Sequence, residues 1–193
     1  GGVLTQRAVQ SLAVQARWLT RRLEWHLLGN HLFINAKALV FAGLFFSGGE
    51  AQRWLAKGCA ILRRELDEQF LADGGQFELS PMYHALALED LLDLVNVAQT
   101  FPQSELTTLA TGLRRRAERA LHWLVSMSHP DGRIAFFNDA AFGVAAPNAE
   151  LVAYAERLGI LASAANPELT YLNASGYVRM QAGGAVALVD LAR

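Results

Sequence analysis

Cysteine, net charge and long apolar runs are what this sequence has least of, and each shortage removes a class of explanation. Cys59 is the only cysteine among 193 residues, so neither an internal disulfide nor a cysteine-based zinc site can form. It reads as a small apolar packing residue. Lys and Arg number 17 against 18 Asp and Glu, a formal charge of -1, which provides no global field to draw nucleic acid or an anionic membrane. Any anionic ligand must be handled locally. The longest apolar stretch, around residues 38–46, falls well short of the ~18 to 20 residues that span a bilayer, so membrane insertion is not expected. The opening Gly1-Gly2-Val3 shows no basic start, apolar run or cleavage site, and no signal peptide is read there. A periplasmic or secreted setting rather than a cytoplasmic one is the expectation where the native N-terminus carries such a signal. No HExxH, phosphate-binding glycine loop or paired-cysteine string occurs, so no metal and no nucleotide cofactor is expected.

What is present is a chain with 52% hydrophobic residues, the composition of a well-packed globular protein. Val9, Leu12, Ala13, Ala16, Leu19 and Leu23 fall at helical spacing and predict a helix from Thr5 to Leu28, stopped at Gly29-Asn30. A nearly all-apolar helix is expected from about Leu32 to Phe46, and an amphipathic one from about Glu50 to Leu71. Asp73-Gly74-Gly75 reads as a turn. Ser80-Pro81 supplies an N-cap and a first-turn proline for a fourth helix to about Ala98. Leu106 to Met127 predicts a fifth helix, closed by His129-Pro130-Asp131-Gly132. A short helix fits Asn148 to Leu158, and strands fit Tyr171 to Gln181 and Ala185 to Leu191, joined through Gly183-Gly184 as a hairpin. The reading is mainly α: antiparallel helical hairpins followed by a β-region whose two strands need further partners, since an isolated hairpin is marginal in water.

Short connections between long helices imply antiparallel neighbours. Gly29 to His31, Gly74 to His84 and His129 to Asp139 are then expected at one end of the bundle. These segments offer Asn30, His31, Gln76, Glu78, Tyr83, His84 and Asn138, with Trp25 nearby. Helix N-termini there add unpaired N–H groups that favour a carboxylate.

Two strings in these segments, Gly29-Asn30-His31-Leu32-Phe33 with Asn35-Ala36-Lys37-Ala38-Leu39, and Asp73-Gly74-Gly75-Gln76-Phe77-Glu78-Leu79-Ser80-Pro81-Met82-Tyr83-His84, resemble the heparinase II/III family of polysaccharide lyases and related alginate lyases. The resemblance implies an incomplete α/α toroid over residues 1–140, a linker with a short helix over 141–168, and the start of a β-sandwich over 169–193. It also implies an acidic, uronic-acid-containing polysaccharide as partner, cleaved by β-elimination. A proton beside a carboxylate is very weakly acidic until that charge is neutralised, so the reaction needs donors that favour the enolate-like state. Asn30, with His31, matches the family's neutralising position. Tyr83 matches its catalytic tyrosine, a phenol that donates a proton and, with a depressed pKa, accepts one. His84, Glu78, Gln76, Trp25 and Asn138 are expected to bind substrate. The family's further histidine or tyrosine from the β-sandwich has no counterpart here, because His122 and His129 both belong to the helical part. The chain is therefore expected to be a piece of a longer enzyme and inactive alone.

Each residue also has a plainer reading. Asn30 after Gly29 is ordinary helix punctuation. Tyr83 in a first turn can pack its ring and wet its hydroxyl. His84 and His31 suit core or supporting roles, and a loop carboxylate such as Glu78 is usually just solvated. Trp18, Trp54 and Trp123 suit the core, and Arg114-Arg115-Arg116 a wet helix face. Two other functions fit the same fold: a degenerate sugar-binding or polysaccharide-assembly protein, and a glycoside hydrolase pairing Asp73 with Glu78 or Asp139.

Overall fold

The computed structural model describes residues 5–27, 29–162 and 168–191. Its elements run α1 (Gln6–Arg21), α2 (His31–Phe45), α3 (Gly49–Gln69), α4 (Pro81–Thr100), a 3-10 turn (Glu105–Leu109), α5 (Ala110–Ser126), α6 (Asn148–Arg157), β1 (Leu169–Leu172), β2 (Tyr177–Ala182) and β3 (Ala185–Asp190). They form two compact units, one of Gly1–Leu66 with Ala98–Leu109, the other of Asp67–Val97 with Ala110–Arg193. Among the described residues no helix is long and apolar enough to cross a membrane.

In the first unit α1 begins where Thr5 Oγ1 accepts from the Ala8 N–H at 3.2 Å. It stops at Arg21, a full two turns before the expected end at Leu28. The apolar period continues through Leu23, but tertiary hydrogen bonds capture the backbone there. The Glu24 N–H donates to Asn35 Oδ1 at 3.1 Å, and Asn35 Nδ2 returns a bond to Glu24 Oε2 at 2.9 Å. Helices α2 and α3 approach closely because each carries a glycine at the contact. A Cβ on Gly43 would meet the Leu55 backbone nitrogen at 2.6 Å, and one on Gly58 the Ala36 carbonyl oxygen at 2.8 Å. Cys59 is fully buried in this unit, and burial, helped by the charge of Glu105, pushes its thiol up to about 12. It is an inert packing residue.

The second unit is organised around α5. Trp123 is fully buried and packs with Met127, Ala135, Leu172 and Tyr177. Its indole N–H donates to Ser175 Oγ at 2.9 Å. The expected fifth helix starts late, because Glu105–Leu109 winds as a 3-10 turn before α5 proper. The expected strand Tyr171 to Gln181 is two strands, so the hairpin is instead a three-stranded antiparallel meander in the order β1-β2-β3. Leu172 pairs with Tyr177 across a four-residue turn. Gly176 takes a φ of 77° there, while the Ser175 N–H and hydroxyl both bind Asp73 Oδ2, at 2.7 and 2.9 Å. Gly183 and Gly184, both at positive φ, make the two-residue turn into β3. From β2, Arg179 is buried and donates to the Ser126 and Ser128 carbonyls at the end of α5, at 3.1 and 2.7 Å, where a cation is favoured by the helix dipole.

Candidate functional site

The sequence-selected residues fall into two groups, one in each unit. In the first, Trp25, Asn30 and His31 lie on and just after the loop that Glu24 and Asn35 hold against α2. Asn30 occupies the N-cap position of α2 with φ -78° and ψ -3°, and its amide makes no cap hydrogen bond. An asparagine used as helix punctuation would spend its side-chain oxygen on the second or third N–H of the helix; here only its backbone carbonyl is used, accepting from the Ile34 N–H at 3.0 Å. His31 is exposed, with Nδ1 3.7 Å from Glu24 Oε2. Trp25 is exposed as well, and the Arg64 guanidinium sits 5.2 Å from its ring centroid, a cation-π contact that fixes the ring's orientation.

The second group is built on the loop between α3 and α4. Gly74 takes φ +97°, and a Cβ there would meet the Arg119 carbonyl oxygen at 2.4 Å. One on Gly75 would meet Trp123 Nε1 at 2.7 Å. Asp73 closes this turn by accepting from the Gly75 N–H at 3.1 Å. Beyond it, Gln76 and His84 are both fully buried. The Gln76 N–H donates to His84 Nδ1 at 3.2 Å, so the proton resides on Nε2, which donates to the Ala120 carbonyl at 2.9 Å. Burial pushes the imidazole down to about 4 despite the opposing pull of Ala120 and Asp73, and the ring lies 4.2 Å from Trp123. His84 and Gln76, expected to touch substrate, are thus turned inward in this chain. With no exposed surface and every polar atom engaged internally, they support the loop instead. The Gln76 amide does so directly, donating to Glu78 Oε1 at 3.0 Å while accepting from the Glu78 N–H at 3.0 Å.

Tyr83 is half-buried in the first turn of α4, where its N–H donates to Ser80 Oγ at 3.3 Å. The charge of Asp139 raises the phenol above its ordinary range, followed by burial, the charge of Glu78 and a hydrogen bond with Asp139. A phenol depressed enough to act as a base is not what this environment makes; it holds its proton. Asp139 is brought there by Ser80, whose hydroxyl donates to the Asp139 carbonyl at 2.6 Å. Asn138, exposed and at φ +53°, donates from Nδ2 to the Leu79 carbonyl at 2.8 Å and to the Tyr177 hydroxyl at 3.3 Å. Tyr177 in turn donates to the same Leu79 carbonyl at 2.7 Å. Leu79 also sits at positive φ, 58°, a conformation rare for a branched apolar residue and one that persists only when its surroundings over-determine it. Leu79 lies four residues before Tyr83, and Asn138 immediately before Asp139.

The structure thus gathers Gln76, Glu78, Tyr83, His84 and Asn138 in the second unit and Trp25, Asn30 and His31 in the first. Sequence reasoning did not single out Asp139 as the partner of Tyr83, nor the Asp73–Ser175 and Leu79–Tyr177 bonds. Asn138 in a loop was a signal, since asparagine tolerates positive φ, but nothing local tied it to residue 79. Among the described residues no group of three or more histidine, cysteine, aspartate or glutamate side chains could hold a metal ion.

Across residues 4–157 the chain matches the family model described as heparinase II/III N-terminus. It is 35% identical over 119 residues to the heparin-sulfate lyases of Bacteroides stercoris and of Pedobacter heparinus, covering 58% of this chain and 17% of each relative. The chain therefore spans about a sixth of the length of these curated relatives. Among solved structures, the heparan sulfate lyase HepC of Pedobacter heparinus superposes with a TM-score of 0.65 at 25% identity, over 89% of this chain and 29% of that one. Heparinase III gives a TM-score of 0.74 at 20% identity, over 95% and 32%, a likeness of fold alone. The fold is accordingly mainly α, with helical hairpins of an incomplete α/α toroid followed by the first strands of a β-sandwich. With its motifs, its fold and a family match over most of its length in agreement, the chain belongs to the heparinase II/III family.

Proposed function

We propose that this chain carries part of the catalytic machinery of a lyase that cleaves uronic-acid-containing polysaccharide by β-elimination. Asn30, assisted by His31, neutralises the uronate carboxylate, and Tyr83 acts as the acid. In the reaction a general base takes the C5 proton, the C5–H electron pair forms the C4–C5 double bond, and the C4–O bond breaks as the leaving oxygen takes the Tyr83 phenol proton. Tyr83 is suited to that last transfer because Asp139 and Glu78 keep its phenol protonated. Glu78, Asn138 and Trp25 bind sugar hydroxyls and faces, while Gln76 and His84 hold Glu78 and the loop in place. On the same reading residues 1–140 are toroid, 141–168 linker and 169–193 the opening of the sandwich.

The observation that supports the proposal is the placement of Tyr83, a half-buried phenol in the first turn of α4 that faces the charges of Asp139 and Glu78. In the full-length protein, Tyr83→Phe is expected to abolish the near-ultraviolet absorbance of unsaturated uronate released from heparan-type, chondroitin-type or alginate-type polymers. Turnover equal to that of the parent protein would refute the role. The convergence of Glu78 and Asp139 on one phenol also supports a second reading, a hydrolase using the two carboxylates. Products bearing no double bond would select it.

A further inference from the structure

The arginine run at 114–116 does not behave as one wet face. Arg114 donates to the Leu158 carbonyl at 3.0 Å and to the Gly159 carbonyl, and pairs with Glu118 at 3.2 Å. It closes the end of α6. Arg115 and Arg116 instead line, together with Arg119 one turn further along α5, a cavity of about 280 Å³ whose walls include Asp67, Ala72 and Gly74. The cavity exists because the 72–74 turn lies directly on the α5 backbone, an approach that only glycine at 74 permits. Arg119 Nη1 comes 3.5 Å from the Ala72 carbonyl oxygen, and Arg116 pairs with Asp67.

Asp67 is the only acidic residue in the lining, so three guanidinium groups leave two positive charges unbalanced in a concave space. That concentration stands out in a chain whose formal charge is -1. Guanidinium forks match the paired oxygens of sulfate and carboxylate groups. The volume sits just below the ~300 to 1,000 Å³ of small-molecule pockets, which suits one charged sugar residue rather than a length of polymer.

We propose that this cavity is an accessory anion subsite that takes a sulfate or carboxylate group of an acidic polysaccharide, using none of the residues assigned to catalysis. The inference rests on the reading of the protein as acting on such a polymer. Its test uses the full-length protein with Tyr83→Phe as a common background and calorimetric binding of three probes: a sulfated heparan-type hexasaccharide, the same oligosaccharide stripped of sulfate, and inorganic sulfate. Arg115→Gln with Arg119→Gln removes two exposed side chains at little risk to the fold. Ala72→Glu is the second variant, leaving every arginine in place and setting a carboxylate at the rim. Both are expected to weaken hexasaccharide binding about 10-fold, the loss of one charge-assisted contact. A loss confined to the sulfated probe assigns the group to sulfate, and an equal loss with the desulfated probe assigns it to carboxylate. Hexasaccharide affinity unchanged in both variants overturns the proposal, and so does an effect seen with inorganic sulfate alone. A parent protein without elimination activity would sink the lyase reading while leaving arginine-dependent binding to be seen, so the two failures are distinguishable.

Discussion

Acidification should loosen the loop that carries Glu78 and leads into the α4 turn of Tyr83, and His84 is the reason. Its Nδ1 accepts from the Gln76 N–H, so a proton added there faces a donor and leaves a charge in a fully buried site. The imidazole ordinarily titrates at 6.5 and is held at about 4 in the fold. Between those values the unfolded chain binds a proton that the folded chain refuses, so stability falls as pH falls. The slope is ~1.4 kcal/mol per pH unit, and roughly 3 kcal/mol is lost across the window. Above pH 6.5 the contribution is intact; below about pH 4 this residue costs nothing further. His84→Gln retains a group that can donate to Ala120 and accept from Gln76 without titrating. Amide hydrogen exchange of peptides covering residues 76–84, corrected for intrinsic rates, reports the local opening free energy. The parent protein is expected to lose roughly 3 kcal/mol of protection between pH 7 and pH 4, whereas the variant starts lower and stays flatter. Parallel profiles for the two proteins would refute this account of His84.

Removing the charge of Asp139 with Asp139→Asn lowers the Tyr83 phenol, since that charge is the largest cause of its upward displacement; the alkaline limb of the kcat/KM profile should move to lower pH, and an unmoved limb would detach Asp139 from the tyrosine. Cys59, buried and pushed up to about 12, should resist iodoacetamide at pH 8 in the native protein and react promptly in denaturant, with mass spectrometry as the readout. Gly74→Ala combines an unfavourable φ of +97° with a clash against the Arg119 carbonyl and should cost at least ~2 kcal/mol, read as a lower urea midpoint. Gly132→Ala, also at positive φ but facing open space, should cost less.

Helix existence was legible because apolar spacing and punctuation agree over long segments. The start of α4 came directly from Ser80-Pro81, whose capping bond is present. Where local and tertiary preferences competed, the sequence misled. Leu23 continues the period of α1, yet the Glu24–Asn35 bonds end that helix early. Tyr171 to Gln181 has the β-propensity of one strand, but Asp73, about a hundred positions earlier, captures Ser175 and folds it into two. The candidate site divides in the same way. Motif strings pointed to Asn30, Glu78 and Tyr83, and the expected meeting of segments at one end of the bundle to Asn138, whereas the burial of His84 and Gln76 and the pairing of Tyr83 with Asp139 depend on neighbours that no local pattern names.

The bonds from Tyr177 to the Leu79 carbonyl and from Ser175 to Asp73 join positions 98 and 102 apart. Contacts so distant in sequence are costly to close and form late. As the polypeptide leaves the ribosome, residues 73–84 must therefore wait for about a hundred more to emerge before their anchors arrive. At the ~5 to 20 residues per second of synthesis, this loop and the helical turn after it remain unsecured for several seconds, during which their apolar neighbours are open to chaperones.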